Sequence, residues 1–586
     1  MKSRPILIAL AAHVAVMIFA LPRSPWEFDE PLFFQALRYY DPAMHHPPPP
    51  GYPLFIFAGK LFRLLLPSDF AALVTLNVIA STIGFVLLAL AFRELAGDER
   101  TGVIGALLFY WSPSMLIHST LPLSDPGAVA LLAAALYFGV SRSPGFPVSR
   151  PGDRATGRPG GRATLFALFA ALTIGWRVQF AIFVVPMFLV AVVMRRWWRA
   201  LAVFTLVCLA WLTPLVLTLG GIPELIDFET GQGAYLIAHD AAESRTGWTP
   251  VRIAFRFIGR PWGTEIAALA VLALAAYGGL KARRSTLIPL IAGAVVYIAF
   301  ALYAMDPADG VRYAIPFTLA TAFFAGAGAR GRFAWAVPVA ALIAFLSYVG
   351  PLLWQRRTIT SPPVQAAAYA RSAFPKAIAL YELPLWPHAQ YFLGDHDPHR
   401  IDDGLAKFWN RPDVPLFLYT DGASAQPGAR VFRWSESDAY TKMTRNHYRV
   451  ASIIPLPPQR RFRIVRGISA TEREQDGREW RWLDSGAELQ LPPGPPRALT
   501  LRLALPPAAP LEANVIAISV NGQIAAQAQV KRPDSTEVTV AVPAGAPLIR
   551  FDAQRTFIPA EVPSMRSGDR RRLAVELLDL WTAAAR

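Results

Sequence analysis

The chain has 586 residues, of which 54% are hydrophobic and only 17% charged. Soluble chains carry about 25% charged residues, so this composition excludes an ordinary soluble globular protein and a disordered one alike. Lys and Arg exceed Asp and Glu by 57 − 41 = 16, which suits nucleic acid or an anionic membrane surface, and the single cysteine, Cys208, forbids an intrachain disulfide.

Crossing a bilayer takes about 17–25 apolar residues. Runs of this kind fall at 5–21, 69–92, 101–118, 125–140, 163–176, 178–194, 200–219, 264–280, 286–303, 313–329 and 333–353. The first follows Lys2 and Arg4, and no small-residue cleavage site precedes Pro22-Arg23, so it is expected to stay as an uncleaved helix. Alternate connections carry the N-terminus, Arg93/Arg100, the Arg142–Arg162 loop, Arg195/Arg196/Arg199, Lys281/Arg283/Arg284 and Arg330/Arg332, seventeen basic residues on one side. That side is expected in the cytoplasm. The charge excess therefore points to membrane lipids, with no nucleic acid partner.

The alternation holds only if residues 51–66 do not cross. Lys60 and Arg63 within that stretch suit an interfacial helix. External segments are then expected at 22–68, 220–262 and Asp306–Arg312. Beyond residue 355 the hydropathy falls and the chain stays outside. Residues 356–470 mix short apolar strands with helix-like stretches, and 471–586 alternate at period two with a hairpin signal at Asn521-Gly522, which predicts a β-sandwich. The predicted fold class is thus mainly α, a polytopic membrane protein of about eleven transmembrane helices over 1–355 with an extracytoplasmic α/β plus β-sandwich region.

Within the first external segment, Asp29 and Glu30 precede Pro31 and a short amphipathic helix. A carboxylate at a membrane-facing cavity suits a general base; acids ahead of a first-turn proline equally suit a plain helix start. Asp125, before Pro126, offers the same choice between function and capping. Arg177 with Gln179, and Arg312 with Tyr313, sit at external helix ends, where a guanidinium holds phosphate or snorkels to headgroups. Arg252, Arg256 and Arg260 recur every four residues and are expected on one helix face, with Gln232 and His239 upstream. The Asp395–His399 stretch has metal-like residue types without a partner pattern and reads as a turn. Two acids and two cations converging on one face would suit proton abstraction beside an anionic leaving group. No Walker loop, GxSxG, HExxH or CxxC occurs.

The ordered pieces EFDEPLFFQAL, HHPPPPGYPLFIFAGKLF, FYWSPSMLIHSTLPLSDPG, IGWRVQF, WLTPLVLTLGG and GVRYAIPF, spread over residues 5–355, resemble the GT-C superfamily of integral-membrane glycosyltransferases, in particular bacterial relatives of protein O-mannosyltransferases and aminoarabinose transferases. The resemblance implies transfer of a sugar, with inversion, from a polyprenyl-phosphate donor to a hydroxyl of a glycan, lipid or protein acceptor. It places the chain in the bacterial inner membrane, N-terminus cytoplasmic and C-terminal domain outside. It makes Asp29 the base and Glu30 its partner or substitute. It sets Asp125 to support the acceptor or a divalent metal (Mg or Mn). Arg177, Arg312, Tyr313, Lys60 and Arg256 would meet the donor phosphate, and His46, Gln179 and Gln232 the substrates. Phe28, Pro31 and the run of four prolines depart from the family pattern and leave the choice between Asp29 and Glu30 open. A lipid-linked glycan transporter and a glycan-binding assembly protein are the rival readings.

Overall fold

The computed structural model describes residues 4–140, 159–239, 248–282, 284–424, 426–434, 437–445, 448–473, 478–565, 567 and 569–584. The cation-bearing connector at 142–158, Arg283 and the His239 side chain lie outside the described residues. The chain divides into two compact units, one of Met1–Ser361 with Ser435–His447, the other of Pro362–Trp434 with Tyr448–Arg586.

The first unit is helical, and the eleven apolar runs fall on helices, though 101–118 is split between Glu99–Trp111 and Pro113–His118 and 313–329 between Gly310–Tyr313 and Ile315–Gly328. Five helices among the described residues are long and apolar enough to cross a membrane, or six if the pair Pro250–Trp262 and Glu265–Lys281, bent by 85°, counts as one span. The shorter apolar helices include Arg4–Phe19, Gly161–Trp176 and Ile315–Gly328. Asp69–Ala96 is typical of the long ones. The Ser68 hydroxyl accepts from the Ala71 amide at 3.1 Å and caps its start, and Gly97, at φ +72°, ends it. Its 28 residues span about 42 Å, more than a hydrocarbon core of about 30 Å. Small residues let these helices touch: a Cβ on Gly278 would lie 1.9 Å from the Phe324 carbonyl oxygen, and one on Gly328 2.1 Å from that of Leu274.

Residues 22–68 fold as two amphipathic helices, Glu30–Arg38 and Pro53–Arg63, joined by a 3-10 turn at Pro42–Met44. Eleven residues cover about 16 Å, too little to cross. Arg38 and Arg63 donate through Nε to the two oxygens of buried Asp69, at 3.0 and 2.8 Å, and fasten both helices to the first turn of the Asp69 helix.

The 220–262 region differs from expectation. The helix begun at Pro250 passes into a π turn at Phe255–Gly259 and a 3-10 turn at Arg260–Trp262. Arg256 bonds the carbonyls of Pro307 and Ala308, whereas Arg260 bonds that of Gly263 and pairs with Glu265, so the two guanidiniums serve different partners.

The second unit holds two sheets. In the first, strands 399–400, 378–381 and 416–420 run parallel and continue antiparallel into 450–455 and 430–433. The second is a nine-stranded sheet folded over a hydrophobic core that includes Leu489, Leu501, Ile518 and Phe551. The boundary expected at 470/471 falls inside it: Arg463–Ile468 pairs antiparallel with Glu479–Gln490, so the β-rich part starts earlier. Nor is 356–470 one piece, because Ser435–His447 packs with the helical unit. Tyr440 meets Trp26 edge to face with ring centroids 6.2 Å apart, and Arg445 pairs with Asp306 at 3.1 Å. Hydropathy is blind to such a return.

Candidate active site

Four side chains far apart in sequence meet in the helical unit. Arg312 Nε donates to Asp125 Oδ2 at 3.0 Å, and its Nη1 lies 3.2 Å from Asp29 Oδ2. Arg177 Nη1 donates to the same Asp125 oxygen at 3.2 Å and to the Ser124 hydroxyl at 2.9 Å. Asp309 stands 3.7 Å from Arg312. The cluster is dry apart from one member: Asp125, Arg177 and Arg312 are 1%, 2% and 8% exposed, whereas Asp29 is 33% exposed.

Local structure explains the placement. Asp29 is the N-cap of Glu30–Arg38, yet its side chain makes no capping bond; the carboxylate turns to Arg312 instead, against the plain helix-start reading. Asp125 begins a helix behind the turn 121–124. The Asn77 amide holds that turn by donating to the carbonyls of Leu121 and Leu123, at 2.5 and 2.8 Å. Arg312 lies on the four-residue helix Gly310–Tyr313. The Ser114 hydroxyl bonds the Val311 carbonyl at 2.8 Å, and the Tyr297 hydroxyl bonds that of Tyr313 at 2.7 Å. Burial works against charge on Arg312, but Asp125, Asp309 and Asp29 together hold its guanidinium above the ordinary value. Burial raises the Asp309 carboxyl to about 6, against the pull of Arg312.

Glu30 does not join this group. It is fully buried, and its Oε1 accepts from the backbone amides of Trp26 at 3.2 Å and Glu27 at 3.0 Å. Burial, then the charge of Glu27, raises its pKa well above the ordinary carboxyl range. Being one residue beyond Asp29 on a helix turns it about 100° away, into the protein. Geometry thus separates two acids that sequence alone left interchangeable.

The other expected residues scatter. Gln179 donates to the Tyr52 hydroxyl at 3.4 Å, and Tyr52 feels the charges of Arg177, Arg312 and Asp29, so Gln179 borders the cluster. The Tyr313 side chain is close enough to sense Asp309 and Arg312. Arg256 is committed to backbone: Nε to the Pro307 carbonyl at 2.9 Å, Nη2 to that of Ala308 at 2.5 Å, Nη1 to that of Lys442. It holds the loop before Arg312. The His46 carbonyl accepts from the Asp41 amide at 2.6 Å. Its neighbour His45, with φ +59°, senses the Asp29 charge, and burial lowers its pKa against that charge. Gln232 lies on the Ile222–His239 helix, and no hydrogen bond among the described residues ties it to the cluster. Lys60 instead borders an apolar cavity of about 410 Å³ lined by Tyr40, Leu54, Phe57, Trp211, Pro214 and Leu215.

Sequence reasoning also missed Glu27 and Arg356. Arg356 is 1% exposed, donates to Glu27 Oε1 at 3.4 Å and to the Ile117 carbonyl at 3.2 Å, and lies 5.3 Å from the Trp26 ring. At the end of an apolar run in Trp354-Gln-Arg-Arg357 it looks like a headgroup anchor. Only its burial says otherwise.

The residues do not fit a divalent metal. Asp125 Oδ2 is shared by two guanidiniums, and among the described residues no three His, Cys, Asp or Glu side chains converge to hold an ion.

No protein-family model matches the chain, and no curated protein matches it in sequence. Its structure is similar to that of ArnT from Cupriavidus metallidurans bound to undecaprenyl phosphate, at TM-score 0.50 and 12% identity, over 77% of this chain and 98% of that one. It also aligns with the archaeal oligosaccharyltransferase AglB from Archaeoglobus fulgidus, in complex with an inhibitory peptide and a dolichol-phosphate (TM-score 0.46, 10% identity, 95% and 96% covered). A third match is the mycobacterial arabinofuranosyltransferase AftD (TM-score 0.44, 12% identity, 100% and 59% covered). The chain shares the fold of ArnT.

Proposed function

We propose that the protein transfers a sugar, with inversion, from a polyprenyl-phosphate donor to a hydroxyl acceptor at the external membrane face. One observation carries the reading: Arg312 joins Asp29 to Asp125, and Asp29 alone of the three reaches solvent. Asp29 takes the acceptor proton as the acceptor oxygen attacks the anomeric carbon. The bond from that carbon to the phosphate oxygen breaks through an oxocarbenium-like state, and polyprenyl phosphate leaves with the bonding electrons. Arg312 and Arg177, fixed by buried Asp125, supply positive charge where negative charge grows, in surroundings too dry to screen it. The lipid chain lies in the apolar cavity beside Trp211, with Lys60 at its wall, so lipid burial supplies binding energy far from the reacting carbon. ArnT, whose structure holds undecaprenyl phosphate, supports this choice of donor through the shared fold.

The test is single-turnover transfer from radiolabelled undecaprenyl-phosphate sugars in lipid nanodiscs. Asp29→Asn should slow transfer by about 10²–10⁴-fold, the range for a lost general base, while Glu30→Gln stays within about threefold of the parent. Normal transfer by Asp29→Asn would refute the assignment. No release of polyprenyl phosphate from any donor by the parent chain would refute the reaction.

A further inference from the structure

The transfer chemistry does not itself call for the return of Ser435–His447 to the helical unit. Fixing such an excursion costs conformational entropy, so its contacts need a reason. Its described part, residues 437–445, buries Ala439, Tyr440 and Met443 and touches the two loops whose side chains meet in the Asp29–Arg312 pair. On one side, Tyr440 lies edge to face against buried Trp26, three residues before Asp29. On the other, Arg445 Nε lies 3.1 Å from Oδ2 of buried Asp306, and the Lys442 carbonyl accepts from Arg256 Nη1.

The second set of contacts bears on the entry to the Arg312 helix. Asp306 Oδ1 caps the turn Pro307–Asp309 by accepting from the Ala308 amide at 2.8 Å. Arg256 runs from the Lys442 carbonyl to those of Pro307 and Ala308. Its stem lies so near Gly310 that a Cβ there would come within 2.9 Å of Arg256 Cγ. Ser114 and Tyr297 hold the carbonyls of Val311 and Tyr313 from the helix bundle. The helix Gly310–Tyr313 is thus fastened at its end by the bundle and at its entry by residues 437–445. Arg445 is 35% exposed and Asp306 only 3%. Loss of that cation would leave an unbalanced charge in a buried site, relieved only if the loop shifts. The Arg445 charge also reaches Asp309, the acid 3.7 Å from Arg312.

We propose that residues 437–445 are a brace for the loops that carry Asp29 and Arg312, and that Arg445 is a positioning residue acting on Arg312 through Asp306. The brace stands on these contacts alone; its effect on rate rests on the transfer reading.

The full chain in nanodiscs is compared with Arg445→Met, Arg445→Lys and Asp306→Asn by two readouts: single-turnover transfer from radiolabelled undecaprenyl-phosphate sugars, and hydrogen–deuterium exchange of peptides covering 306–313. At saturating donor, Arg445→Met and Asp306→Asn should each slow transfer about 10- to 100-fold, as a displacement on the order of 1 Å does. The half-saturating donor concentration should stay within about threefold, and Arg445→Lys should recover the rate to within about fivefold. Exchange at 306–313 should quicken about tenfold in Arg445→Met. Asp306→Asn keeps the side-chain shape, so it reads the pair even if Arg445→Met disturbs folding. In an Arg312→Gln background, Arg445→Met should cost no more than about threefold further, because its route to the reaction is gone. Parental exchange at 306–313 in both Arg445→Met and Asp306→Asn would overturn the brace. Parental rates in both, or an equal loss in the Arg312→Gln background, would overturn the positioning role. A parent that transfers no sugar while exchange quickens as expected would bring down the transfer reading and leave the brace standing.

Discussion

Two buried ionic networks in the helical unit use the same residue types to opposite ends. In one, Arg312 and Arg177 hold Asp125 and extend to Asp29, which opens to solvent. In the other, Arg356 holds Glu27, and Glu30 closes on the backbone amides of residues 26 and 27 with no route out. Both tie together segments more than 180 residues apart, so composition cannot tell them apart. What separates them is one exposed carboxylate. The first network keeps an acid where a substrate can meet it. The second has carboxyls whose burial drives them toward the neutral form, and its work is to fix the turn from which Asp29 projects.

The contrast breaks hardest at Arg312. Arg312→Ala leaves Asp29, Asp125 and Asp309 without their shared cation, and transfer should fall by about 10³-fold or more, as when a preorganised charge-stabilising group is lost. Single-turnover rates at saturating donor measure this, and a loss confined to acceptor KM would show that Arg312 serves the acceptor instead.

Arg356→Ala should act on stability first. Removing one partner of a buried pair costs about 3–5 kcal/mol, read as a lower Tm of the purified protein in nanodiscs. Unchanged Tm with lost activity would move Arg356 into the reactive network.

Acidity sharpens the difference further. Burial raises Glu27 from 4.5 to about 7, with Arg356 opposing. The folded state therefore binds a proton that the unfolded chain has released, and stability should fall as pH rises from about 4.5 through about 7. Thermal melts across that window should show the decline, and Glu27→Gln should flatten it. A parent whose Tm rises over the same window would contradict the assignment. The smallest effect is expected from Glu30→Gln: the amide keeps an oxygen for the two backbone donors, and the carboxyl it replaces is held neutral, so Tm should shift by no more than a few degrees.

Much of this was legible in the residues. Apolar runs located the helices because a membrane span needs unbroken hydrophobicity. Asp29, Asp125, Arg177 and Arg312 stood out because charge at the end of such a run needs a reason. Glu30 was misjudged because adjacency in sequence is not adjacency on a helix. Arg256 was expected at the donor phosphate, and only the structure shows its bonds to the backbone carbonyls of Pro307 and Ala308. The return of Ser435–His447 to the helical unit leaves no trace in hydropathy, since its anchors include a ring contact, an ion pair and a bond from Arg256 to the Lys442 carbonyl.

The shared-site claim is tested most directly by a double-mutant cycle on transfer rate with Asp29→Asn, Arg312→Gln and the pair combined. Residues that act as one unit are strongly non-additive, so the double variant should be no slower than the worse single variant by more than about threefold. Losses that multiply in full would place the two side chains in separate steps and contradict the common site.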